Sequence, residues 1–148
     1  MSQGESTIDL DTSLGYLLKE ASSALHASME EVLRPLGMNI THYSCLELLA
    51  QRPGLSNSEL ARGAFVTRQS MNVLLLSLER DGIVTRPERP ESGRALPTEL
   101  TAKGRTQLAA ASAAVKAVED RMKSDLSATE RASLGDLLSR CVTSLRGK

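Results

Sequence analysis

The sequence predicts a mainly α-helical protein with a single two-stranded β ribbon, and three observations predict it. Leu and Ala dominate the apolar residues while Phe65, Tyr16 and Tyr43 are the only aromatics, a composition that favours helices over a β-sandwich. Apolar residues recur at three- and four-residue spacing through most of the chain. Only around residues 83–100 do β-compatible residues flank a turn-rich loop. At 148 residues, 41% hydrophobic and 24% charged, the chain suits one compact domain with its own core.

The elements follow in order. Residues 1–12 are polar and unpatterned and read as a flexible tail. From Ser13, the positions Leu14, Leu17, Leu18, Ala21, Leu25, Met29, Val32 and Leu33 form a long amphipathic stripe, stopped by Pro35 and Gly37. A helix this long in so small a protein is expected to pack on a partner as well as on its own core. Thr41 suits the N-cap of a second helix carrying Cys45, Leu46, Leu48 and Leu49, which ends at Pro53 and Gly54. Ser56 and Glu59 make a capping box, with Leu55 and Leu60 at the hydrophobic-staple positions, for a short helix over residues 57–64. Thr67 caps the next helix, which carries Met71, Leu74, Leu75 and Leu78 on one face. Gly82 sits where a left-handed residue would end it. Leu76 is expected to join the core or pack on a neighbouring helix. Ile83, Val84 and Thr85 open the ribbon, residues 86–94 form a basic loop, and residues 95–100 return. Pro97 cannot donate to a ladder and fits only an edge. Thr101 caps an Ala-rich helix to about Lys123, and a second capping box, Ser127 with Glu130, opens a last helix to about Leu145.

The net charge is zero, but its distribution is not even. Residues 1–51 carry two basic and seven acidic side chains, residues 52–105 nine and six, and residues 106–148 seven and five. The middle of the chain is therefore basic, and contact with phosphates depends on the local field. No apolar run approaches the roughly 20 residues of a membrane span, and the polar, acidic start does not read as a signal peptide, so a cytoplasmic location is expected.

Two helices joined by a tight turn, the second presenting polar side chains at its start, is a geometry that inserts into a DNA major groove. Facing away from the apolar stripe are Arg68, Gln69, Asn72, Val73 and Ser77. Arg suits a guanine edge or a phosphate, Gln and Asn match the adenine edge bidentately, and Val can meet a thymine methyl. Thr67 and Ser70 sit where a phosphate would meet free backbone N–H groups. Taken alone, such a face fits an ordinary solvated helix equally well. The loop that follows, with Arg86, Arg89 and Arg94 stiffened by Pro87 and Pro90, shifts the balance towards DNA, since arginine at a ribbon tip fits the narrow, electronegative minor groove.

Several segments, in order and spacing, resemble the MarR family. They are Pro53-Gly54-Leu55-Ser56, Glu59-Leu60-Ala61, Val66-Thr67-Arg68-Gln69-Ser70-Met71, Leu78-Glu79, Asp81-Gly82-Ile83-Val84, Gly93-Arg94-Ala95 and Leu100-Thr101-Ala102-Lys103-Gly104-Arg105. The stretch Leu126-Ser127-Ala128-Thr129-Glu130-Arg131 resembles the family's final-helix start. The resemblance implies a winged helix-turn-helix lobe at residues 41–101, and a helical dimerisation region from residues 13–40 and 102–148. It further implies a homodimer gripping a pseudo-palindromic operator, acting as a repressor, and released by small aromatic or phenolic ligands. The ligand cleft would be bordered by the helices that carry Tyr16, His26, His42 and Tyr43, though core packing and capping account for these four equally well. The chain departs from the family's pattern at Val73, where relatives usually carry Arg, at Leu76 and Ser77, often charged in relatives, and at Ser92, where the wing usually has Asp.

Cys45 and Cys141 lie far apart in apolar stretches, and both are expected to be buried, reduced thiols. His42 and Cys45 share a helix face but lack third and fourth ligands, so no metal site is expected. No catalytic acid/base pair, nucleophile or phosphate-binding glycine loop stands out, so neither an enzyme nor a cofactor is expected. A competing reading is a protein-interaction module of the same fold without specific DNA binding, motivated by Val73, Leu76 and Ser92.

Overall fold

The computed structural model describes residues 7–86 and 97–147. Its elements are α1 (Leu14–Leu33), α2 (Ile40–Gln51), α3 (Asn57–Ala64), α4 (Arg68–Arg80), β1 (Val84–Thr85), β2 (Glu99–Leu100), α5 (Ala102–Met122) and α6 (Ala128–Arg146). The chain forms two compact units, one up to Val115 and one from Lys116 onward.

The local signals explain where the helices begin and stop. Ser13 caps α1 by accepting from the Tyr16 N–H, and a 3₁₀ turn with Pro35 at its start follows α1 and ends at left-handed Gly37. Both capping boxes form, with Ser56 and Ser127 each exchanging bonds with the glutamate three residues on. Helix α2 begins earlier than expected. Asn39, in extended conformation, is its cap and accepts from the His42 N–H at 2.8 Å. Thr41 then falls inside the first turn.

The core of the first unit gathers Leu33 from α1, Cys45, Leu46 and Leu49 from α2, Leu60 and Ala61 from α3, and Met71, Leu75 and Leu78 from α4. Ile83, Val84 and Leu100 from the ribbon and Leu108 and Ala111 from α5 complete it. In the ribbon Val84 pairs with Leu100 and Thr85 with Glu99, antiparallel, so one residue of each strand faces the core. Pro97 lies outside the paired residues, as its missing N–H requires.

The junction of α4, the ribbon and α5 is tightly tied. Gly82 takes the left-handed conformation (φ 76°) that turns the chain out of α4. Thr101 Oγ1 accepts from the Gly104 N–H at 3.0 Å and donates toward the carbonyls of Gly82 (2.6 Å) and Ile83 (3.0 Å). Lys103 Nζ donates to the Asp81 carbonyl at 3.0 Å. At Gly104 a Cβ would lie 2.2 Å from the Ile83 carbonyl oxygen, so only glycine allows α5 to approach β1 this closely.

Two further expectations are corrected. Cys45 is fully buried, but Cys141 is exposed on α6, because α6 buries none of its residues and its apolar stripe is left uncovered. Leu76 does not join the core. It lies on the side of α4 opposite Met71, Leu75 and Leu78 and is 48% exposed. At about 100° per residue, that core face leaves position 76 pointing outward.

Candidate nucleic-acid interface

The turn between α3 and α4 is built by backbone bonds at the end of α3. Phe65 adopts the left-handed conformation (φ 61°), with its N–H directed at the Ala61 and Arg62 carbonyls, and the Val66 N–H bonds to Ala61. An L-residue there costs about 1–2 kcal/mol, and Phe65 is moreover 83% exposed. Thr67 then turns extended and accepts from the Ser70 N–H at 3.0 Å, which caps α4 and leaves the threonine hydroxyl proton free to donate. Asn57, the first residue of α3, donates from Nδ2 to the Arg68 carbonyl at 3.3 Å and so clamps the start of one helix to the start of the next. No local sequence pattern points to Asn57, because this contact joins residues eleven apart on different helices.

The structure leaves the expected residues of α4 outside the core. Thr67, Arg68, Gln69, Ser70, Asn72 and Val73 are all exposed, and Ser77 is half-buried at the edge. Arg86, at the foot of the wing, is paired with Glu79 of α4 at 3.4 Å, both side chains partly exposed. Such a pair is worth little in stability but ties the foot of the wing to α4. Arg89 and Arg94 lie outside the described residues.

The four residues expected at a ligand cleft separate into two kinds. Tyr16 and His26 are exposed on α1, whereas His42 and Tyr43 are partly buried on α2. Burial lowers the His42 pKa from its ordinary 6.5, against the opposing pull of the nearby Gln107 amide and of Asp81. Tyr43 donates to Glu47, which also accepts from Gln51 Nε2 (3.0 Å) and from Ser112 Oγ of α5 (2.8 Å). Partial burial would raise the Glu47 pKa, but those three bonds together hold it below its ordinary value. A concavity of about 220 Å³ opens beside this group, lined by Tyr43, Glu47 and Gln51 with Ser44, Leu48, Arg52 and Gly63. Of the four expected residues, only Tyr43 lines it. Glu47 and Ser112, 65 positions apart, carry no signal that sequence reading could join. Burial pushes the Cys45 thiol up to about 12, which makes it a core residue with no nucleophilic character near neutrality.

Three helices closing over a core, the second and third joined by a capped turn, with a two-stranded ribbon after the third, define a winged helix-turn-helix protein. A model of the MarR family matches residues 36–95. The HTH-type transcriptional repressor Rv2887 of Mycobacterium tuberculosis is 42% identical over 130 residues, covering 88% of this chain and 94% of that protein. The crystal structure of Rv2887 in complex with salicylic acid aligns with a TM-score of 0.73 at 41% identity, covering 88% of this chain and 97% of that one. The crystal structure of Rv2887 in complex with DNA aligns with a TM-score of 0.73 at 38% identity, covering 88% and 98%. This chain belongs to the MarR family. Among the described residues no helix is long and apolar enough to cross a membrane.

Proposed function

We propose that this chain is a cytoplasmic transcription repressor, without enzymatic activity, that binds a pseudo-palindromic duplex operator as a homodimer. The observation that carries the reading is the polar, exposed N-terminal half of α4, fixed by the Thr67 cap and the Asn57 clamp, with Arg86 of the wing paired to Glu79 of the same helix. The DNA complex of Rv2887 supports it. Arg68 serves a phosphate or a guanine, Gln69 and Asn72 read base edges, and Val73 and Ser77 line the same groove. Thr67 and Ser70 meet a phosphate at the helix N-terminus, while Arg86, Arg89 and Arg94 follow the backbone and minor groove. Residues 41–101 form the DNA-binding lobe, and residues 13–40 and 102–148 form the dimerisation region.

The salicylic acid complex of Rv2887 supports a small phenolic or aromatic effector for this chain as well. Tyr16, His26, His42 and Tyr43 are the residues we assign to its recognition. Bound more tightly by the DNA-free state, such a ligand would lower operator affinity by its differential affinity for the two states.

Gel-shift titration against the DNA upstream of the chain's own gene, repeated over a range of salt, tests the reading. A retarded complex should weaken with a log–log slope of about −0.9 for each phosphate neutralised. Gln69→Ala should relax preference at one symmetric pair of positions by about 1–3 kcal/mol. A protein that shifts no duplex, or whose binding ignores both salt and sequence, would overturn it.

A further inference from the structure

We propose that Val73 and Leu76 are specificity residues that read thymine 5-methyl groups in the operator's major groove; this rests on the DNA-binding reading above. Val73 is 61% exposed and Leu76 48% exposed. On α4 they project to the side opposite the buried Met71, Leu75 and Leu78, and share that side with Gln69, Asn72 and Arg80. The helix therefore presents a stripe of Gln69, Val73, Leu76 and Arg80 at intervals of four, three and four residues, one side chain above the next. It is aliphatic in the middle and polar or cationic at both ends.

What such a stripe can meet is limited by its size and its flanks. A protein interface needs roughly 800 Å² per partner around a desolvated apolar centre. Two aliphatic side chains bordered by Gln69, Asn72 and Arg80 fall far short of that. Arg80 beside Leu76 and Arg68 in the first turn of α4 instead favour a polyanion, the neighbouring Glu79 being paired with Arg86. Within a major groove the thymine methyl is the one apolar group displayed by the unmodified bases. Three residues of α-helix rise about 4.5 Å, somewhat more than the roughly 3.4 Å between stacked bases. Val73 and Leu76 thus address base pairs one or two steps apart, next to those read by Gln69 and Asn72. Each half-site should contain two thymines so spaced, on either strand.

The test begins with selection from randomised duplexes, followed by replacement of each selected thymine by deoxyuridine, which removes only the methyl. Burying one methyl is worth about a fourfold change in affinity, so deoxyuridine should weaken binding about fourfold at two positions in each half-site and about 15-fold when both half-sites are changed at one position. Val73→Ala should abolish the thymine–deoxyuridine difference at one of those positions and preserve it at the other, and Leu76→Ala should do the reverse. At a matching cytosine, 5-methylation should restore binding. A patterned operator indifferent to deoxyuridine everywhere, or methyl effects that neither alanine variant alters, would overturn this proposal and leave the DNA-binding reading standing. A selection that yields no pattern would overturn both.

Discussion

Helices α4 and α6 each begin at a hydroxyl cap, Thr67 and Ser127, and each carries apolar residues at helical spacing. Helix α4 buries Met71, Leu75 and Leu78, whereas α6 buries none of its residues and leaves Leu134, Leu137, Leu138, Val142 and Leu145 exposed. The same periodicity thus has two meanings. In α4 the stripe meets α3 and the ribbon, and the two apolar residues left outside, Val73 and Leu76, form a small patch bordered by polar ones. In α6 the whole stripe, with Cys141 in it, is exposed. The first half of α1 resembles α6, with Leu14, Leu17 and Leu18 exposed, while its end packs Leu33, Met29 and Val32 on the core. Exposed apolar surface this continuous marks an association site, and a homodimeric repressor would cover it with a second copy of the chain.

The largest effects should fall on the buried side of α4. Leu75→Ala should cost about 2–5 kcal/mol by opening a cavity in the core, whereas Val73→Ala should stay within about 0.5 kcal/mol. Urea unfolding of the two variants checks this, and equal losses would erase the distinction between the two faces. Gly104→Ala should cost about 1–3 kcal/mol, because its Cβ meets the Ile83 carbonyl and α5 must move away from the ribbon. Loss of the Thr101 bonds to the Gly82 and Ile83 carbonyls should accompany it, seen as faster amide exchange in residues 99–104. A smaller effect comes from pH. His42 has a folded pKa below its ordinary 6.5, so the unfolded chain takes up the proton first as pH falls. Stability should be complete above pH 6.5 and decline below it until the folded value is passed. His42→Gln should flatten that part of the profile; an unchanged slope would place the titration elsewhere.

Much of this architecture is written locally. Ser56 with Glu59, Ser127 with Glu130, Thr67 and Gly82 announce helix ends because a cap is settled by side chains within three residues of it. The start of α2 is ambiguous for the same local reason. Asn39 and Thr41 are both capping residues, and only the extended backbone at Asn39 decides between them. Leu76 follows Leu74 and Leu75 in sequence and resembles core, but its side of α4 is set by where α3 and the ribbon dock, which no local pattern states. Cys141 sits in an apolar stretch of α6 that buries none of its residues. The Tyr43–Glu47–Ser112 group joins α2 to α5 across 65 residues, and a carboxylate placed by such a contact leaves no trace in spacing.

The two uncovered apolar sets should therefore have different destinations, Leu138 and its neighbours facing another copy of the chain and Leu76 facing DNA. Sedimentation equilibrium of the wild-type chain, Leu138→Glu and Leu76→Glu at micromolar concentration tests this most directly. The wild-type chain and Leu76→Glu should sediment at twice the 15.9 kDa chain mass, and Leu138→Glu should shift towards a single chain. A folded wild-type monomer, or a Leu76→Glu variant that dissociates while Leu138→Glu remains paired, would contradict that division of roles.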